Sequence, residues 1–154
     1  MEVIIEIPKS DDFESVNKLA KKVHKLHVNW NPDLFLDVDE VISREDFENM
    51  LENKNMIVAK IQDKIVGYMT FSMKEKINPV IRYRKYLAIN AICVDEKNRE
   101  NGIGTKLLNY AKEIGKENDC TDLFLTVNEE NKNAIKLYEK FGFKVKSIEY
   151  LMKI

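Results

Sequence analysis

Residues 87–105 constrain the fold of this chain more than any other stretch. An apolar run over residues 87–94 leads through a polar segment, residues 95–101, to Gly102 and Gly104, and a helical pattern of apolar residues follows. A strand, a loop and a helix in this order place free backbone N–H groups and the positive end of the helix dipole at one point. The two glycines remove side chains that would keep an anion from these N–H groups. We therefore predict a phosphate-binding loop where this helix begins.

Apolar periodicity along the rest of the chain predicts the element order β-α-α-β-β-β-α-β-α-β-β. A stripe from Phe13 to His27 predicts the first helix, capped by Ser10 or Asp11, and Ser43 caps a short second helix. The predicted strands cover residues 3–7, 56–61, 65–73, 84–94, 122–127 and 143–153, the last stretch forming one or two closing strands. A polar turn at residues 62–64, a charged loop around Pro79 and a last helix over residues 131–141 that ends at Gly142 complete the pattern. This order predicts a single α/β domain over residues 1–154 with a mixed sheet.

Composition argues against several classes of protein. The chain has 154 residues, of which 44% are hydrophobic and 33% charged, which suits one domain with a single core. Its 25 basic and 26 acidic residues leave a net charge of −1, whereas proteins that bind nucleic acid or anionic membranes usually carry a basic excess. No apolar stretch approaches the ~20 residues of a membrane span, and the N-terminus lacks the pattern of a signal peptide. Cys93 and Cys120 have no metal spacing and suit a reducing compartment, so we expect a cytoplasmic protein without a nucleic-acid or membrane partner.

Two common phosphate-binding motifs do not match the glycine loop. A dinucleotide fingerprint needs a third glycine where Leu107 stands, and a P-loop needs Gly-Lys-Ser/Thr where this chain has Gly104-Thr105-Lys106. Arg99 adds a cation that can pair with a phosphate through two hydrogen bonds. The loop therefore predicts an anion site of another kind.

A third pattern does match, and it carries a family resemblance. Residues 99–104, Arg-Glu-Asn-Gly-Ile-Gly, fit the Arg/Gln-x-x-Gly-x-Gly/Ala signature of the GCN5-related N-acetyltransferase (GNAT) superfamily. Residues 131–143 resemble the second signature of that family, Asn-x-x-Ala-x-x-Leu-Tyr-x-x-x-Gly-Phe, at every fixed position. The spacing of the two blocks and the order of elements also agree. The resemblance is strong over about residues 56–145 and covers the N-terminal third in outline.

The resemblance implies where acetyl-CoA would bind. The expected GNAT fold has a mixed sheet of about six or seven strands and about four flanking helices. In it, two parallel strands, here residues 87–94 and 122–127, splay apart around the cosubstrate. The backbone of Ile92 and Val94 would pair with the pantetheine arm, Asn131 would contact the cosubstrate, and Lys140 could approach its outer phosphates. The backbone amides expected to hold the pyrophosphate are those of Arg99, Glu100, Asn101, Gly102, Ile103, Gly104 and Thr105.

The same resemblance assigns roles in catalysis. Tyr138 matches the family tyrosine that protonates the leaving thiolate, and the N–H of Val94 is a candidate donor to the oxyanion. An alkyl amine, with a pKa of about 10.4, must lose a proton before it attacks. Many relatives carry a glutamate where this chain has Asn90, which cannot accept that proton. The base is therefore a water chain, a residue such as Glu75, or a group of the substrate. Tyr138 also lies on the apolar stripe of its helix, where it could be a core residue only.

The first helix and the loop after it are expected to border the acceptor site. His27, Trp30 and Phe35, together with Asn90, are the candidate lining residues. The acidic run at residues 37–40 could attract a cationic amine, although such a run is as readily a solvated loop.

Three further patterns have a simpler interpretation that we favour. Cys93, which could form an acetyl-thiol intermediate, is expected to be a buried core residue. His24 and His27, which could bind a metal with nearby aspartates, are expected to pack or face solvent, so no metal site is predicted. Residues 83–86, a basic-aromatic run, are expected to be an exposed strand start and not an RNA site.

These features together predict the function. We expect an N-acetyltransferase that passes the acetyl group of acetyl-CoA directly to a primary amine of a small molecule, a peptide or a protein N-terminus. A non-catalytic module that binds acetyl-CoA, and a structural domain with a degenerate site, are the alternatives. A homodimer is expected from the family alone.

Overall fold

The computed structural model describes residues 1–154, with two helical layers against one mixed sheet. Its elements are β1 (Ile4–Glu6), α1 (Phe13–Trp30), α2 (Arg44–Asn53), β2 (Met56–Ile61), β3 (Lys64–Asn78), β4 (Ile81–Val94), α3 (Ile103–Glu117), β5 (Asp122–Phe124) and α4 (Lys132–Phe141). The strand order is β1-β2-β3-β4-β5, in which only the β4–β5 pair is parallel. The α/β class, the mixed sheet, its parallel pair and the four helices confirm the predicted fold. The sheet has five strands, slightly fewer than the six or seven expected.

The turn between β2 and β3 follows its prediction closely. Gln62 and Asp63 form a two-residue loop with φ of 48° and 62°. Two consecutive left-handed residues match the right-handed twist of the flanking strands, which is why such loops close hairpins. Lys64, predicted as part of the turn, is already the first residue of β3.

The predicted charged loop around Pro79 is wrong, because β3 and β4 extend through it as a long hairpin. Glu75 pairs with Lys85 and Lys76 with Arg84 across the ladder, and the chain turns only at residues 79 and 80. This part of the hairpin is exposed, so its strands lack the apolar alternation from which a strand is predicted.

Alternate side chains of the sheet enter two separate cores. Ile57, Met69 and Leu87 lie with α3 and α4 on one face. Met56, Val58 and Cys93 lie with α1 and α2 on the other. Both faces of the central strands are therefore buried, because side chains alternate between the faces of a strand. Every helix is too short or too polar to cross a lipid bilayer.

The N-terminal helices are fixed by short polar contacts. A single 3-10 turn, Ser10–Asp12, precedes α1, so neither Ser10 nor Asp11 caps it as predicted. The predicted cap of α2 is confirmed, since Ser43 Oγ accepts a hydrogen bond from the N–H of Asp46 at 3.1 Å. Asn17 on α1 is buried and joins the α1–α2 loop, donating to the carbonyl of Ile42 at 2.8 Å.

The C-terminal end of the chain departs most from the prediction. Gly142, with φ of 120°, ends α4 as predicted. Residues 143–154 form no strand, so the one or two closing strands are absent from the single chain. Apolar alternation supplies strand propensity only, and a strand also needs a hydrogen-bonded neighbour.

Candidate functional site

β4 and β5 separate after a short paired stretch and leave a gap between them. The two strands pair only at three positions, Tyr86 with Asp122, Leu87 with Leu123 and Ala88 with Phe124. β4 continues from there to Val94, whereas residues 125–127 leave the ladder. The splayed parallel strands expected from the sequence are therefore present, with β5 shorter than the predicted residues 122–127.

A β-bulge at Asn90 lies where the strands separate. Ile89 pairs with Phe71 and Ala91 with Thr70, so Asn90 has no partner residue on β3. A bulge bends its strand and increases the local twist. Because it follows the last parallel pair by two residues, it turns β4 away from β5 and opens the gap. The bulge was not predicted, since it depends on the register between β3 and β4.

The backbone of Ile92 and Val94 faces this gap. The N–H of Asp95 donates to the carbonyl of Val66 on β3 at 2.8 Å. Backbone groups alternate in direction along a strand, so those of Val94 and Ile92 point away from β3. Neither residue has a backbone partner on that side, and an extended ligand could pair there as an added strand.

The loop before α3 presents a row of free amides at the end of the gap. From Glu100 to Thr105, no backbone N–H donates to a protein acceptor. Glu100 and Gly102 have left-handed backbones, with φ of 69° and 73°. Such alternation bends successive N–H groups toward one point and forms an anion nest, which the helix dipole strengthens. This geometry fits a pyrophosphate.

The two loop glycines have different structural roles. A Cβ on Gly102 would meet no atom within 4 Å, so that glycine serves its left-handed backbone and leaves the nest open. A Cβ on Gly104 would lie 2.7 Å from Leu137 Cδ2. Gly104 is buried and lets α4 approach α3, a packing role that the sequence analysis did not predict.

The three side chains suggested for the cosubstrate differ in their contacts. Arg99 is exposed, and its Nε donates to the carbonyl of Val94 at 3.4 Å, which joins the nest to the gap. Asn131 caps α4, its Oδ1 accepting from the N–H of Ala134 at 3.3 Å, and its amide nitrogen remains available as a donor. Lys140 is exposed one turn beyond Leu137, the residue that packs on Gly104.

Tyr138 is buried between α4 and the sheet. Its ring meets that of Phe143 edge to face at 5.8 Å between centroids. Burial raises the pKa of Tyr138 to about 12, so its phenol is protonated at neutral pH. The hydroxyl has no protein partner, yet Asn55 Oδ1 is the only fully buried side-chain N or O atom without one. The hydroxyl of Tyr138 therefore keeps access to solvent and to a ligand.

The aromatic residues proposed for the acceptor site come together at the end of α1. The ring of His27 lies 5.4 Å from those of Trp30 and Phe35 between centroids. Burial lowers the pKa of His27, and the neighbouring His24 lowers it further, so the imidazole is neutral at pH 7. Asn90, the fourth predicted residue, is exposed on β4 and donates to Ser72 Oγ at 3.3 Å.

The acidic run after α1 is neutralised by lysines. Asp39 pairs with Lys21 at 2.7 Å and Asp37 with Lys25 at 3.8 Å, all at the surface. The two lysines therefore offset negative charge of the acidic run before an amine approaches. This favours the interpretation of the run as a solvated loop.

Two candidate groups point away from the gap. Burial raises the pKa of Cys93 to about 12, and its Sγ donates to the carbonyl of Leu19 in the core on the α1 side. The thiol is therefore protonated and turned from the gap, as expected of a core residue. Glu75 pairs with Lys85, at the other end of the parallel ladder from the gap, which does not favour it as the base.

The remaining suggested sites are occupied by other contacts. No group of three or more His, Cys, Asp or Glu side chains is placed to hold a metal ion. His24 Nε2 bonds to the carbonyl of Leu36. In the basic-aromatic run, Arg84 pairs with Asp122 at 3.3 Å and Tyr86 packs on Phe124 at 5.4 Å between centroids.

Comparison with known proteins agrees with this geometry. The model of the acetyltransferase (GNAT) family matches residues 20–143. Human N-alpha-acetyltransferase 30 is 45% identical over 60 residues, which are 39% of this chain and 16% of that protein. The L-amino acid N-acetyltransferase AaaT of Escherichia coli is 24% identical over 150 residues, covering 94% of this chain and 84% of that one. This chain thus spans only a small part of the first of these relatives. In structure, a mutant of the BH1408 protein from Bacillus halodurans superimposes with a TM-score of 0.91 at 24% identity, over 98% of this chain and 99% of the other.

Proposed function

This chain belongs to the acetyltransferase (GNAT) family, and on that premise we propose that it transfers the acetyl group of acetyl-CoA to a primary amine. The row of free amides from Glu100 to Thr105, placed at the end of the β4–β5 gap, is the observation that carries the proposal. Six adjacent donors at a helix start suit a pyrophosphate, and the unpaired edge of β4 suits the amide-bearing arm attached to it.

Each side chain near the gap has a distinct part in the proposed reaction. Acetyl-CoA supplies an acetyl group activated as a thioester. Arg99 and Lys140 add positive charge near the nest, and Ile92 and Val94 orient the extended arm through their backbones. The N–H of Val94 is the proposed donor to the carbonyl oxygen as charge develops on it. Tyr138, protonated at neutral pH, donates the proton that the departing sulfur needs.

The absence of a carboxylate at Asn90 bears on which amine is accepted. An α-amino group has a pKa of about 7.7–8.0, so a substantial fraction is neutral at physiological pH, whereas a lysine side chain has a pKa of about 10.4. An α-amine needs only water to take its proton. We therefore favour the N-terminal amine of a peptide or protein, or an amino acid, as the acceptor. Of the two relatives described above, one is named an N-alpha-acetyltransferase and the other an L-amino acid N-acetyltransferase.

Residue chemistry supports the cytoplasm as the place of action. Cys93 and Cys120 are both free thiols, which suits a reducing compartment such as the cytoplasm. The nearly balanced charge suits a small or peptide acceptor better than nucleic acid.

Binding of CoA, followed by thermal shift and titration calorimetry, tests the donor half of the proposal. Arg99→Gln should raise the Kd for CoA by about tenfold, the loss of a charge-assisted contact. It should leave binding of S-acetylpantetheine, which lacks the pyrophosphate, unchanged. Lys97→Gln changes the same charge two residues away and is the matched control. Equal weakening of both ligands by Arg99→Gln would contradict a pyrophosphate site at the nest.

Release of free thiol from acetyl-CoA across a panel of amines tests the transfer half. The panel pairs each peptide bearing a free N-terminus with the same peptide whose N-terminus is blocked and which carries one lysine. We expect turnover on the free α-amine at pH 7.5 and little on the blocked peptide. Binding of CoA without thiol release on any amine would favour the non-catalytic module.

A further inference from the structure

One face of the β3–β4 hairpin continues the α1-side core surface out into solvent. Tyr68 on β3 lies in the core that α1 covers. Side chains alternate between the two faces of a strand, so even-numbered residues of β3 after Tyr68 point to the same side, together with their partners on β4. The residues of this face that are exposed or half-buried are Ser72, Lys74, Lys76, Arg84 and Tyr86. The helices therefore leave this part of the sheet open.

The open face begins where β4 and β5 separate. Ser72 Oγ accepts a hydrogen bond from Nδ2 of Asn90, the bulge residue at the gap, at 3.3 Å. A strand rises by about 3.3 Å per residue, so Lys74 and Lys76 lie roughly 7 and 13 Å beyond Ser72. An acceptor whose amine is at the gap can extend from there along this face.

Two lysines of the open face carry charge that no carboxylate of the protein pairs with. No ion pair includes Lys74 or Lys76. Arg84, opposite Lys76 in the ladder, is itself paired with Asp122 at 3.3 Å. Glu75, the carboxylate of this part of the hairpin, points to the other face. Lys74 and Lys76 therefore form a cationic strip along the open face.

The surroundings of the cationic strip are aromatic and mostly basic. Tyr86 and Phe124 pack with 5.4 Å between their ring centroids and form the floor beside the strip. Lys146 Nζ lies over the ring of Phe124, 5.7 Å from its centroid. The segment to which Lys146 belongs, residues 144–154, carries three lysines and one carboxylate, Glu149. An anionic group is therefore the ligand that this surface suits.

On the premise of the proposed acetyl transfer to an α-amine, we propose that the cationic strip binds an acidic side chain of the acceptor. The preferred acceptor is then a peptide or protein whose second to fourth residues include aspartate or glutamate. An extended peptide spans about 3.3–3.6 Å per residue, so these positions reach Lys74 and Lys76 when the amine is at the gap. The carboxylate of a free amino acid stays beside its own amine and falls short of Lys76. Asn90 is neutral and adds no charge that would repel such a peptide.

Thiol release on three peptides that share a free N-terminus and differ only at residues 2–4 tests the preference. With glutamate at these positions, kcat/KM should be about fivefold higher than with glutamine, since each exposed charge pair contributes little. Lysine there should lower kcat/KM below the glutamine value. The preference should shrink as salt is added, because ions screen exposed charges. Equal kcat/KM for the glutamate and glutamine peptides overturns the proposal.

The double substitution Lys74→Gln with Lys76→Gln removes the charge of the strip. The ratio of kcat/KM for the glutamate peptide to that for the glutamine peptide should fall to about one. Lys85→Gln, the same change on the other face of the hairpin, is the matched control and should keep the wild-type ratio. A glutamate preference that survives the double substitution shows attraction by the general charge of the protein and overturns the strip.

Alanine and alaninamide distinguish an acidic side chain from the α-carboxylate of a free amino acid. The ratio of kcat/KM for these two acceptors should be the same in the wild type and in the double variant. If the double substitution lowers the ratio of alanine to alaninamide, the two lysines bind an amino-acid carboxylate, and the assignment to an acidic side chain is wrong.

Calorimetry with CoA-loaded protein separates failure of the cationic strip from failure of acetyl transfer. Peptide binding under these conditions needs no acetyl group. The Kd for the glutamate peptide should therefore be about fivefold below that for the glutamine peptide, whether or not turnover occurs. Absence of turnover on every peptide, with this difference in Kd present, would support the strip and contradict only the proposed transfer. Equal Kd values would overturn the strip.

Discussion

Tyr138 combines the two properties that a proton donor to a departing sulfur needs. Its hydroxyl has no protein partner, so a ligand can accept its proton, and burial raises its pKa to about 12, so the proton is present at neutral pH. The same burial makes the phenol a weaker acid than in water. It can therefore act only on a sulfur held within hydrogen-bond distance.

The substitution Tyr138→Phe should lower kcat by about 10²-fold or more, the usual contribution of a positioned general acid. The KM for acetyl-CoA should change little, because the ring and its packing on Phe143 are kept. Tyr110→Phe on α3, also partly buried, is the matched control and should leave kcat unchanged. Steady-state kinetics of thiol release separate the two constants. Equal kcat in Tyr138→Phe and the control would make Tyr138 a core residue only.

The pH dependence of kcat is a second, independent test of Tyr138 as the proton donor. Because burial raises the pKa of Tyr138 to about 12, its proton is retained well above neutral pH. Rising pH should therefore increase kcat as the amine is deprotonated, with no fall below pH 10 in the wild type. A descending limb near pH 9 that disappears in Tyr138→Phe would show a lower pKa in the complex than in the free protein.

The sequence alone reveals the role of a residue only where that role depends on its neighbours along the chain. The motif identifies Tyr138 by its spacing from Asn131, and the cap at Asn131 also follows from local sequence. The bulge at Asn90 does not, because it exists only relative to the register of β3. The packing role of Gly104 was missed for a similar reason, since its neighbour Leu137 is 33 residues away in the chain.

Gly104 and Gly115 both lie on α3 but differ in the space around them, and an alanine substitution at each tests that difference. A Cβ on Gly104 would approach Leu137 Cδ2 to 2.7 Å, whereas a Cβ on Gly115 would meet only ordinary contacts of 3.6 Å and beyond. Gly104→Ala should destabilise the protein by about 1–3 kcal/mol through overpacking. Gly115→Ala should stabilise it by about 0.5–1 kcal/mol, because alanine loses less backbone entropy in a helix. Urea unfolding of the two variants gives both values, and the same sign for both would contradict the packing assigned to α3 and α4.

At the scale of elements, burial decides which predictions hold. The α1 stripe and the β2–β3 hairpin follow from apolar periodicity, because those residues face the two cores. The outer part of the β3–β4 hairpin is held by its backbone ladder, in which Glu75 lies opposite Lys85, and a charged sequence of that kind is typical of a loop. The length of β5 was overestimated, because residues 125–127 have strand propensity but leave the ladder where the gap opens.

The molecule as a whole should lose stability in alkali, since several buried groups hold their protons in the folded state. Burial raises the pKa of Cys93 from 9.0 to about 12 and that of Tyr138 from 10.0 to about 12, and the pKa of Tyr68 is raised further. A raised folded pKa means that the unfolded chain releases its proton first. The stability contributed by such a group is complete below the unfolded pKa and declines as pH rises toward the folded one. The decline should begin near pH 9 with Cys93 and steepen above pH 10 as the tyrosines join.

The slope just above pH 9 reports mainly on the two cysteines, because their ordinary pKa of 9.0 lies below the 10.0 of the tyrosines, and Cys93 is the more deeply buried of the two. One proton released on unfolding corresponds to about 1.4 kcal/mol per pH unit. Cys93→Ala should remove most of that slope, whatever its effect on stability at pH 7, whereas Cys120→Ala, at a half-buried thiol, should remove less. Unfolding by urea at several pH values from 7 to 10 measures both slopes. If the stability of the wild type and that of Cys93→Ala fall equally with pH, the Cys93 thiol is not held protonated in the α1-side core. Its exclusion from the reaction in the β4–β5 gap then rests on its orientation alone.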